Sequence, residues 1–247
     1  MDAPLQGRRP RAPGTVIAYR IACQNRPHGA DPHSTSLMFP AVPPLTQTLI
    51  IVNVTVFLAQ MLLGDWIVAT FALWPLQLSS AYEIRGWGAF QPWQIITYGF
   101  LHGGFAHLLF NMFALYMFGG EIERVWGERR YLIYYMACIV GAAIAQLVVT
   151  NLQSGPPYPT LGASGGVFGL LLAFGMMYPR RMIMLIFPPI PMPAWLFVSL
   201  YGGIELYLGV TGTQQGVAHF AHLGGMVAGF FLIQYWSGRA PFKSRSR

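Results

Sequence analysis

Six long apolar stretches, separated by short polar segments, dominate the chain from residue 45 onward. They cover Leu45–Leu63, Trp93–Phe118, Tyr131–Thr150, Leu161–Tyr178, Ala194–Val210 and Val217–Trp236. A helix of about 20 apolar residues crosses the hydrocarbon core of a bilayer, and most of these stretches approach that length. The pattern therefore predicts an all-α integral membrane protein, with six transmembrane helices forming one domain over residues 45–237.

The segments between and around the apolar stretches are polar or are broken by proline and glycine. Residues 1–44 are predicted to form a flexible N-terminal tail, and residues 238–247 a basic C-terminal tail. Several prolines interrupt residues 180–193, which predicts a loop at the membrane surface. Residues 64–92 are rich in aromatic side chains, which fits either an amphipathic piece lying in the membrane interface or an ordinary aromatic-belt loop.

Composition excludes several classes of protein. Of the 247 residues, 54% are hydrophobic and only 9% are charged, whereas about a quarter are charged in a soluble domain. An ordinary cytosolic globule and a disordered chain are thereby excluded, and a nucleic-acid binder would not be this apolar. The two cysteines, Cys23 and Cys138, do not indicate a disulfide framework, and Cys138 is expected to be a small buried hydrophobe.

The basic residues orient the predicted helices, because lysine and arginine accumulate in cytoplasmic loops. If both termini face the cytoplasm, the inner segments are 1–44, 119–130, 179–193 and 237–247. These segments hold all of the fifteen lysines and arginines except Arg85. The opposite orientation would place nearly every basic residue on the wrong side, so both termini are predicted to be cytoplasmic.

A few strongly polar side chains fall inside the apolar stretches, where burial is costly and indicates function. They are His102, His107, Asn111, Ser164, Glu205, His219 and His222. The second, fourth and sixth stretches run from outside to inside in the predicted topology. His107, Asn111, Ser164 and His222 can therefore share the outer half of the membrane.

Local spacing also favours convergence of these groups. His107 and Asn111 are four residues apart and so lie on one helical face. Ser164 falls in the glycine-rich turn Gly162–Gly166, which would leave backbone N–H groups free at a helix start. Such free N–H groups stabilise developing negative charge.

Small residues form stripes on the fourth and sixth stretches, and such stripes let two helix backbones approach closely. The glycines of these stripes are Gly165, Gly169, Gly225 and Gly229. Close approach would bring the Ser164 hydroxyl within hydrogen-bond reach of the His222 imidazole.

The chemistry expected from these groups is nucleophilic catalysis. A serine hydroxyl is a weak nucleophile that needs a base within about 2.6–3.2 Å, and His222 is the candidate base. His107, Asn111 and the Ser164 N–H could bind the oxyanion. The sequence places no acidic residue at a matching depth beside His222, so we expect a Ser–His dyad without a third member.

The same residues form motifs in a fixed order. The fourth stretch opens with Gly162-x-Ser164-Gly165, and the sixth contains His222-x-x-Gly225-x-x-x-Gly229. The second contains His102-x-x-x-x-His107-x-x-x-Asn111, followed by Gly120-x-x-Glu123-Arg124. In motif, spacing and span context, residues 45–237 resemble the rhomboid family of intramembrane serine proteases.

The resemblance implies a six-helix rhomboid fold whose water-filled cavity opens to the external side. It implies Ser164 as nucleophile, His222 as general base and acid, and His107, Asn111 and the Ser164 N–H as the oxyanion site. Substrates would be single-pass membrane proteins with helix-destabilising residues near the scissile bond. The fifth stretch would belong to a substrate gate, and residues 64–92 resemble the membrane-embedded loop of the family.

Two positions depart from the family pattern. Many members have Trp-Arg in the first external loop, where this chain has Trp93-Gln94, so an arginine contact is lost. Many place tyrosine four residues after the nucleophile, where this chain has Phe168, whose ring can still pack on the catalytic histidine. We expect support of the substrate site from four residues: Gly162, Gly165, Phe168 and His102. For His102, hydrogen bonding within the outer cavity is expected and a catalytic role is not.

Three alternatives compete with a serine protease. A zinc enzyme would use His219 and His222, but the usual His-Glu-x-x-His helix is missing and no carboxylate is expected to accompany the pair. A catalytically silent relative that binds membrane clients would lack Ser164 or His222. A transporter could use Glu205, although a polar contact between helices is the simpler account of that residue.

The predicted surroundings follow from this interpretation. We expect no cofactor, no metal and no nucleic acid, and the partners would be the lipid bilayer and membrane-protein substrates. The predicted location is the cell inner membrane with the site open to the external side, and the alternative is an organelle inner membrane.

Overall fold

The structure is a computed structural model that describes residues 41–76, 89–152, 158–185, 189–212 and 218–238. The two tails predicted from the sequence lie outside the described residues, apart from 41–44 and 238. The described part is mostly helical, as the sequence predicts.

The helices of the described part are numbered in chain order. They are α1 Pro44–Leu63, α2 Asp65–Phe71, α3 Gln94–Thr97, α4 Phe105–Ala114, α5 Gly120–Leu152, α6 Ser164–Met177, α7 Ala194–Thr211 and α8 His219–Trp236. A 3-10 turn, Tyr98–Phe100, follows α3, and a π-helical stretch, Leu115–Gly119, joins α4 to α5. Strand β1, Met182–Met184, pairs antiparallel with β2, Pro191–Pro193.

Four of the predicted apolar stretches match helices within about three residues at each end: α1, α6, α7 and α8. By length and composition, three helical segments of the described part could cross a membrane: Pro44–Leu63, Phe105–Leu152, which contains a break at Gly127, and Ala194–Thr211. Helix α6 is apolar but shorter, at 14 residues. The helical character of the predicted spans is therefore confirmed, while their number across a bilayer stays a prediction.

The second predicted stretch and the loop after it need correction. The helix starts only at Phe105, because the chain first forms α3 and the 3-10 turn and then passes through Gly103 and Gly104. Most of residues 119–130 have helical backbone, but α5 consists of two helices that meet at Gly127, whose φ of 74° and ψ of 163° lie outside the helical region. The segment predicted between the second and third stretches is therefore largely helical and contains this break, while its place on the inner side stays a prediction.

The segment 180–193, predicted as a loop, contains the β1–β2 pair, with Ile183 opposite Met192. Pro191 and Pro193, at the two ends of β2, have no N–H to donate. Such residues are compatible with a short edge strand, which pairs with a neighbouring strand on one side only. This hairpin connects the end of α6 to the start of α7.

Glu123 fixes the start of α1 from the first turn of α5. Its buried carboxylate accepts the N–H groups of Leu45 at 2.9 Å and Thr46 at 2.7 Å, and the Thr46 hydroxyl at 2.7 Å. These N–H groups have no acceptor inside α1, since the first turn of any helix lacks one. Long-range capping thus explains a carboxylate in the Gly120–Arg124 motif.

The aromatic segment after α1 folds back on the entry to α6. Helix α2 occupies its first part, and Leu73 forms an isolated antiparallel bridge with Thr160, with both N···O distances 2.9 Å. Buried Gln94 accepts the Trp74 N–H and donates to the Thr70 and Ala89 carbonyls. Gln94 therefore ties this segment together, while residues 77–88 lie outside the described residues.

Helix α8 packs against α5 and α6 through small residues. Gly225 lies against the Gly165 backbone, and a Cβ at Gly225 would overlap the Gly165 carbonyl oxygen. Gly169 and Gly229 both face the Cys138 side chain of α5, which is fully buried. Close backbone approach between α6 and α8 brings the serine and histidine of the two helices together.

Candidate active site

Ser164 is the first residue of α6, at the end of a turn that only glycine tolerates. Gly162 has φ 133°, and a Cβ there would lie 2.7 Å from His107 Cε1. The first main-chain N–H of α6 with a helical acceptor is that of Val167, which bonds to Ala163 O at 3.1 Å. The Ser164 and Gly165 N–H groups therefore precede the hydrogen-bonded helix.

His222, in the first turn of α8, faces this serine. Its Nε2 lies 2.8 Å from Ser164 Oγ. The Phe168 ring, one turn along α6, stacks on the imidazole with a centroid distance of 4.4 Å and an interplanar angle of 6°. The serine hydroxyl and imidazole thus have the geometry of a nucleophile and its base.

A carboxylate lies beside the His222 imidazole, on the side opposite Ser164. Glu205 Oε2 of α7 lies 2.8 Å from His222 Nδ1 and 2.7 Å from His219 Nδ1. All three side chains are buried, and Glu205 is 9% exposed. The prediction that no acidic residue lies beside His222 is therefore wrong, and the expected dyad has a third neighbour.

The depth of Glu205 was available from the sequence. The fifth and sixth stretches are antiparallel neighbours, so residues near the end of one lie level with residues near the start of the next. Glu205 precedes the end of α7 by six residues, and His222 follows the start of α8 by three. At 1.5 Å per residue these depths, about 9 and 4.5 Å, differ by about one helical turn.

His107 reaches the site from α4. Its Nδ1 accepts the Gly103 N–H at 3.3 Å, and the other side of its ring lies against Gly162. A neutral imidazole that accepts at Nδ1 carries its proton on Nε2. The His107 Nε2–H is therefore a donor beside the turn that leads into Ser164.

Asn111 lies one turn further along α4 and also lines the cavity. Its side-chain amide donates to the His107 carbonyl at 2.9 Å, and the residue is 6% exposed. An amide nitrogen has two N–H groups. The bond to His107 leaves the second one for another acceptor.

His102 departs from the expectation. It is 2% exposed, and it is not among the described residues that line the cavity. Its ring lies edge-on to that of His107, with centroids 5.1 Å apart, while Gln60 binds its backbone N–H and C=O. His102 therefore packs behind His107, because the break between the 3-10 turn and α4 directs it inward, and it forms no hydrogen bond within the cavity.

A cavity of about 730 Å³ contains the site. Its wall includes Ser164, His222, His107, Asn111, Gly162, Gly165 and Phe168. Apolar residues of α4, of the Leu115–Gly119 stretch and of α7 form much of the remainder, with Phe110, Met117, Phe197 and Tyr201 among them. An apolar cavity with a few convergent polar groups is typical of a substrate site.

The carboxylate and the two imidazoles also form a possible metal-ligand set. In the part of the chain that the structure describes, ligand atoms of Glu205, His219 and His222 lie within 4.8 Å of one another. The expectation that no carboxylate accompanies the histidine pair is therefore wrong, because Glu205 lies beside both rings. Both Nδ1 atoms lie at hydrogen-bond distance from one carboxylate oxygen, however, and a nitrogen that donates a proton there has no lone pair for a metal.

Known proteins share this sequence pattern. A family model for the Rhomboid domain matches residues 89–239. The rhomboid protease GluP of Bacillus subtilis is 32% identical over 141 residues, which is 56% of this chain and 25% of that protein. The rhomboid protease GlpG of Photorhabdus laumondii is 27% identical over 207 residues, or 83% and 65% of the two chains. Rhomboid protein 1, mitochondrial, of Saccharomyces cerevisiae is 31% identical over 155 residues, or 62% and 44%.

The chain thus spans between a quarter and about two thirds of the length of these curated relatives. The residues that the Rhomboid family model matches begin at 89 and so include α3 to α8. Every residue of the site lies within this range.

Proposed function

The chain belongs to the rhomboid family, and from this premise we propose that it is an intramembrane serine endopeptidase. The observation that carries the proposal is the 2.8 Å contact between Ser164 Oγ and His222 Nε2 inside the cavity. Three curated relatives with related sequences support the family context, and two of them are named as proteases. A catalytically silent relative does not need a serine hydroxyl at hydrogen-bond distance from a histidine, so this contact favours the enzyme.

In the proposed acylation, Ser164 Oγ attacks the carbonyl carbon of a peptide bond. The hydroxyl proton moves to His222 Nε2, and the carbonyl π electrons become the oxyanion. When this intermediate collapses, the C–N bond breaks and His222 gives the proton to the leaving amine. Water then repeats the sequence on the acyl-enzyme: His222 takes the proton of the water and returns one to Ser164 Oγ.

The proposed oxyanion site consists of three donors around the start of α6. They are the Ser164 N–H, the His107 Nε2–H and the free N–H of the Asn111 amide. Because their positions are fixed before the charge develops, such donors need little reorganisation, and each contributes about 10²–10³-fold to kcat in other serine hydrolases.

The proposed substrates are transmembrane segments of membrane proteins, single-pass proteins above all. A helix hides its backbone carbonyls in hydrogen bonds, so helix-destabilising residues near the scissile bond would expose one to Ser164. The apolar wall of the cavity fits such a segment, and the polar end of the cavity supplies the chemistry.

We further propose six membrane crossings, with both termini in the cytoplasm and the cavity open to the external side. The distribution of lysine and arginine supports this orientation. The proposed location is the cell inner membrane, which the bacterial relatives favour, and the yeast mitochondrial relative keeps an organelle inner membrane as the alternative.

A fluorophosphonate probe tests the proposal before any substrate is known, because it reacts with a serine activated by its base. The purified protein should be labelled, and Ser164→Ala and His222→Ala should both lose labelling. Ser199→Ala, which removes an exposed hydroxyl from α7, is the matched control and should label like the parent.

Absence of labelling in a folded, monodisperse parent protein would contradict an activated serine. Labelling that survives in Ser164→Ala would place the reactive serine elsewhere. A positive result would be followed by cleavage of a single-span substrate after both proteins are reconstituted in liposomes.

A further inference from the structure

The buried carboxylate of Glu205 is unusual in its setting. It lies in an apolar helix, α7, and is 9% exposed. An ionised carboxylate is stable in such a place only when hydrogen-bond donors or opposite charges compensate the loss of water. Here the Nδ1 atoms of two imidazoles lie 2.7 and 2.8 Å from the same carboxylate oxygen, at hydrogen-bond distance.

The spacing on both helices builds this contact. Glu205 and Gly209 are four residues apart on one face of α7, and His219 and His222 are three apart on one face of α8. A Cβ at Gly209 would lie 3.2 Å from the His219 Cβ, so the missing side chain lets the start of α8 approach α7. The carboxylate then lies between the two rings.

The carboxylate also decides where the protons are. An ionised carboxylate oxygen only accepts, so the Nδ1 atoms of His219 and His222 must each carry a proton. A neutral imidazole with its proton on Nδ1 has a lone pair on Nε2. In His222 that lone pair points at Ser164 Oγ, 2.8 Å away, which is the tautomer that a general base needs.

We propose that Glu205 is a positioning residue for His222 and that His219 in turn holds Glu205. The proposal rests on the serine-protease function proposed above. Glu205 fixes the His222 ring and its tautomer, and it stabilises the imidazolium that forms when His222 takes the Ser164 proton, while itself staying ionised. His219 Nδ1–H occupies the same oxygen and keeps the carboxylate in place.

The test measures kcat and KM for a single-span substrate in liposomes, with full-length variants. Glu205→Gln keeps the shape of the side chain but removes its charge, so kcat should fall about 10²-fold or more with KM within about twofold of the parent. Glu205→Asp keeps the charge and should recover part of the lost kcat. Tyr207→Phe, which removes a polar atom from the exposed face of the same helix, should match the parent.

His219 is tested by a matched pair. In His219→Asn the side-chain nitrogen stands where Nδ1 stood and can still donate to Glu205, so kcat should stay within about threefold of the parent. His219→Phe fills the same volume without a donor and should lower kcat about tenfold. If the two variants behave alike, His219 does not act through its hydrogen bond.

A measurement on the parent protein is independent of how the variants fold. Nitrogen-15 NMR of histidine-labelled protein should show His222 protonated at Nδ1 and bare at Nε2, with His222→Gln used for assignment. If His222 carries its neutral-state proton on Nε2, Glu205 does not set the tautomer and the proposal is overturned, whether or not Glu205→Gln folds.

Other outcomes separate this proposal from the protease function itself. A parent that cleaves substrate, with Glu205→Gln at the same kcat, would refute the role of Glu205 and leave the protease intact. A parent that neither labels nor cleaves would refute the protease function, on which the role of Glu205 depends. Loss of parent labelling with 1,10-phenanthroline, restored by Zn²⁺, would assign the three side chains to a metal and overturn the proposal.

Discussion

For each of two imidazoles in the site, the hydrogen-bond partner of Nδ1 determines whether Nε2 accepts or donates a hydrogen bond. His222 Nδ1 meets a carboxylate, so its Nε2 is free to accept from Ser164. His107 Nδ1 accepts a backbone N–H from Gly103, so its Nε2 carries a proton. The two histidines therefore suit the different roles proposed for them, His222 as base and His107 as hydrogen-bond donor, although the two side chains are chemically identical.

The Phe168 ring gives a prediction at this scale. Stacked aromatic pairs contribute about 0.5–1.5 kcal/mol, so Phe168→Ala should slow fluorophosphonate labelling about 2- to 10-fold because the His222 ring becomes less ordered. Phe168→Tyr keeps the stack and should label within about twofold of the parent. An alanine variant as fast as the parent would show that the stack does not position His222.

Among the helices, the geometry of the site depends on how closely α8 approaches α6 and α7. Helix α6 supplies the serine, α8 the histidine and α7 the carboxylate, and no two of these residues are close in sequence. Glycines rather than large apolar side chains set the separation between α6 and α8. The distance between Ser164 and His222 therefore depends directly on how closely α6 and α8 pack.

Gly225→Ala tests that dependence. The added Cβ would overlap the Gly165 carbonyl, so α6 and α8 must separate, which should cost about 1–3 kcal/mol and lower both the melting temperature and labelling. Gly203→Ala, on α7, is the control, because nothing lies within 4 Å of its added Cβ. That control should be neutral or up to about 1 kcal/mol more stable. Equal melting temperatures for the two variants would contradict the close approach.

Glu123 gives a second prediction at this scale. Glu123→Gln places an amide N–H among the donors at the start of α1, so we expect about 1–3 kcal/mol of destabilisation. Glu121→Gln is the control, since the ion pairs of Glu121 in the described part of the chain, with Arg124 and Arg181, are exposed to solvent, and their loss should change stability by less than about 1 kcal/mol. Thermal unfolding in detergent compares the two, and equal losses would argue against long-range capping.

Over the molecule as a whole, the exposed apolar side chains and the charged side chains occupy different parts of the surface. Large apolar side chains are exposed along α1, α5 and α7, where a lipid environment would cover them. Arg124 and Arg181 meet Glu121 near the start of α5, which joins the two segments that are predicted to face the cytoplasm. The contact of these two arginine-bearing segments is compatible with the proposed orientation, in which both face the cytoplasm.

Single cysteines test the orientation. In a background with Cys23→Ser, a membrane-impermeant maleimide added to intact cells should label Asp65→Cys, which follows α1 on the predicted external side. Arg180→Cys, on the predicted inner side, should react only after the cells are permeabilised. Cys138 is fully buried and should remain silent in both cases. The reverse labelling pattern would overturn the orientation.

The amino-acid sequence alone predicted several of the helices and the proposed serine–histidine pair. Apolar length placed α1, α6, α7 and α8, because membrane helices satisfy their own backbone hydrogen bonds and depend little on distant contacts. The glycine-rich turn indicated Ser164. His222, His107 and Asn111 were indicated because it is costly to bury a polar side chain in a membrane.

Which side chains meet across helices is known from the packed structure and not from the local sequence pattern. The partner of Glu205 depends on the rotation and separation of α7 and α8, which local periodicity does not encode. The capping of α1 likewise depends on Glu123, which lies 77 residues after Thr46 in the chain. Burial of His102 depends on the break before α4. For Glu205 and Glu123, contacts between residues far apart in the sequence decide the arrangement, and such contacts form only when the helices pack against one another.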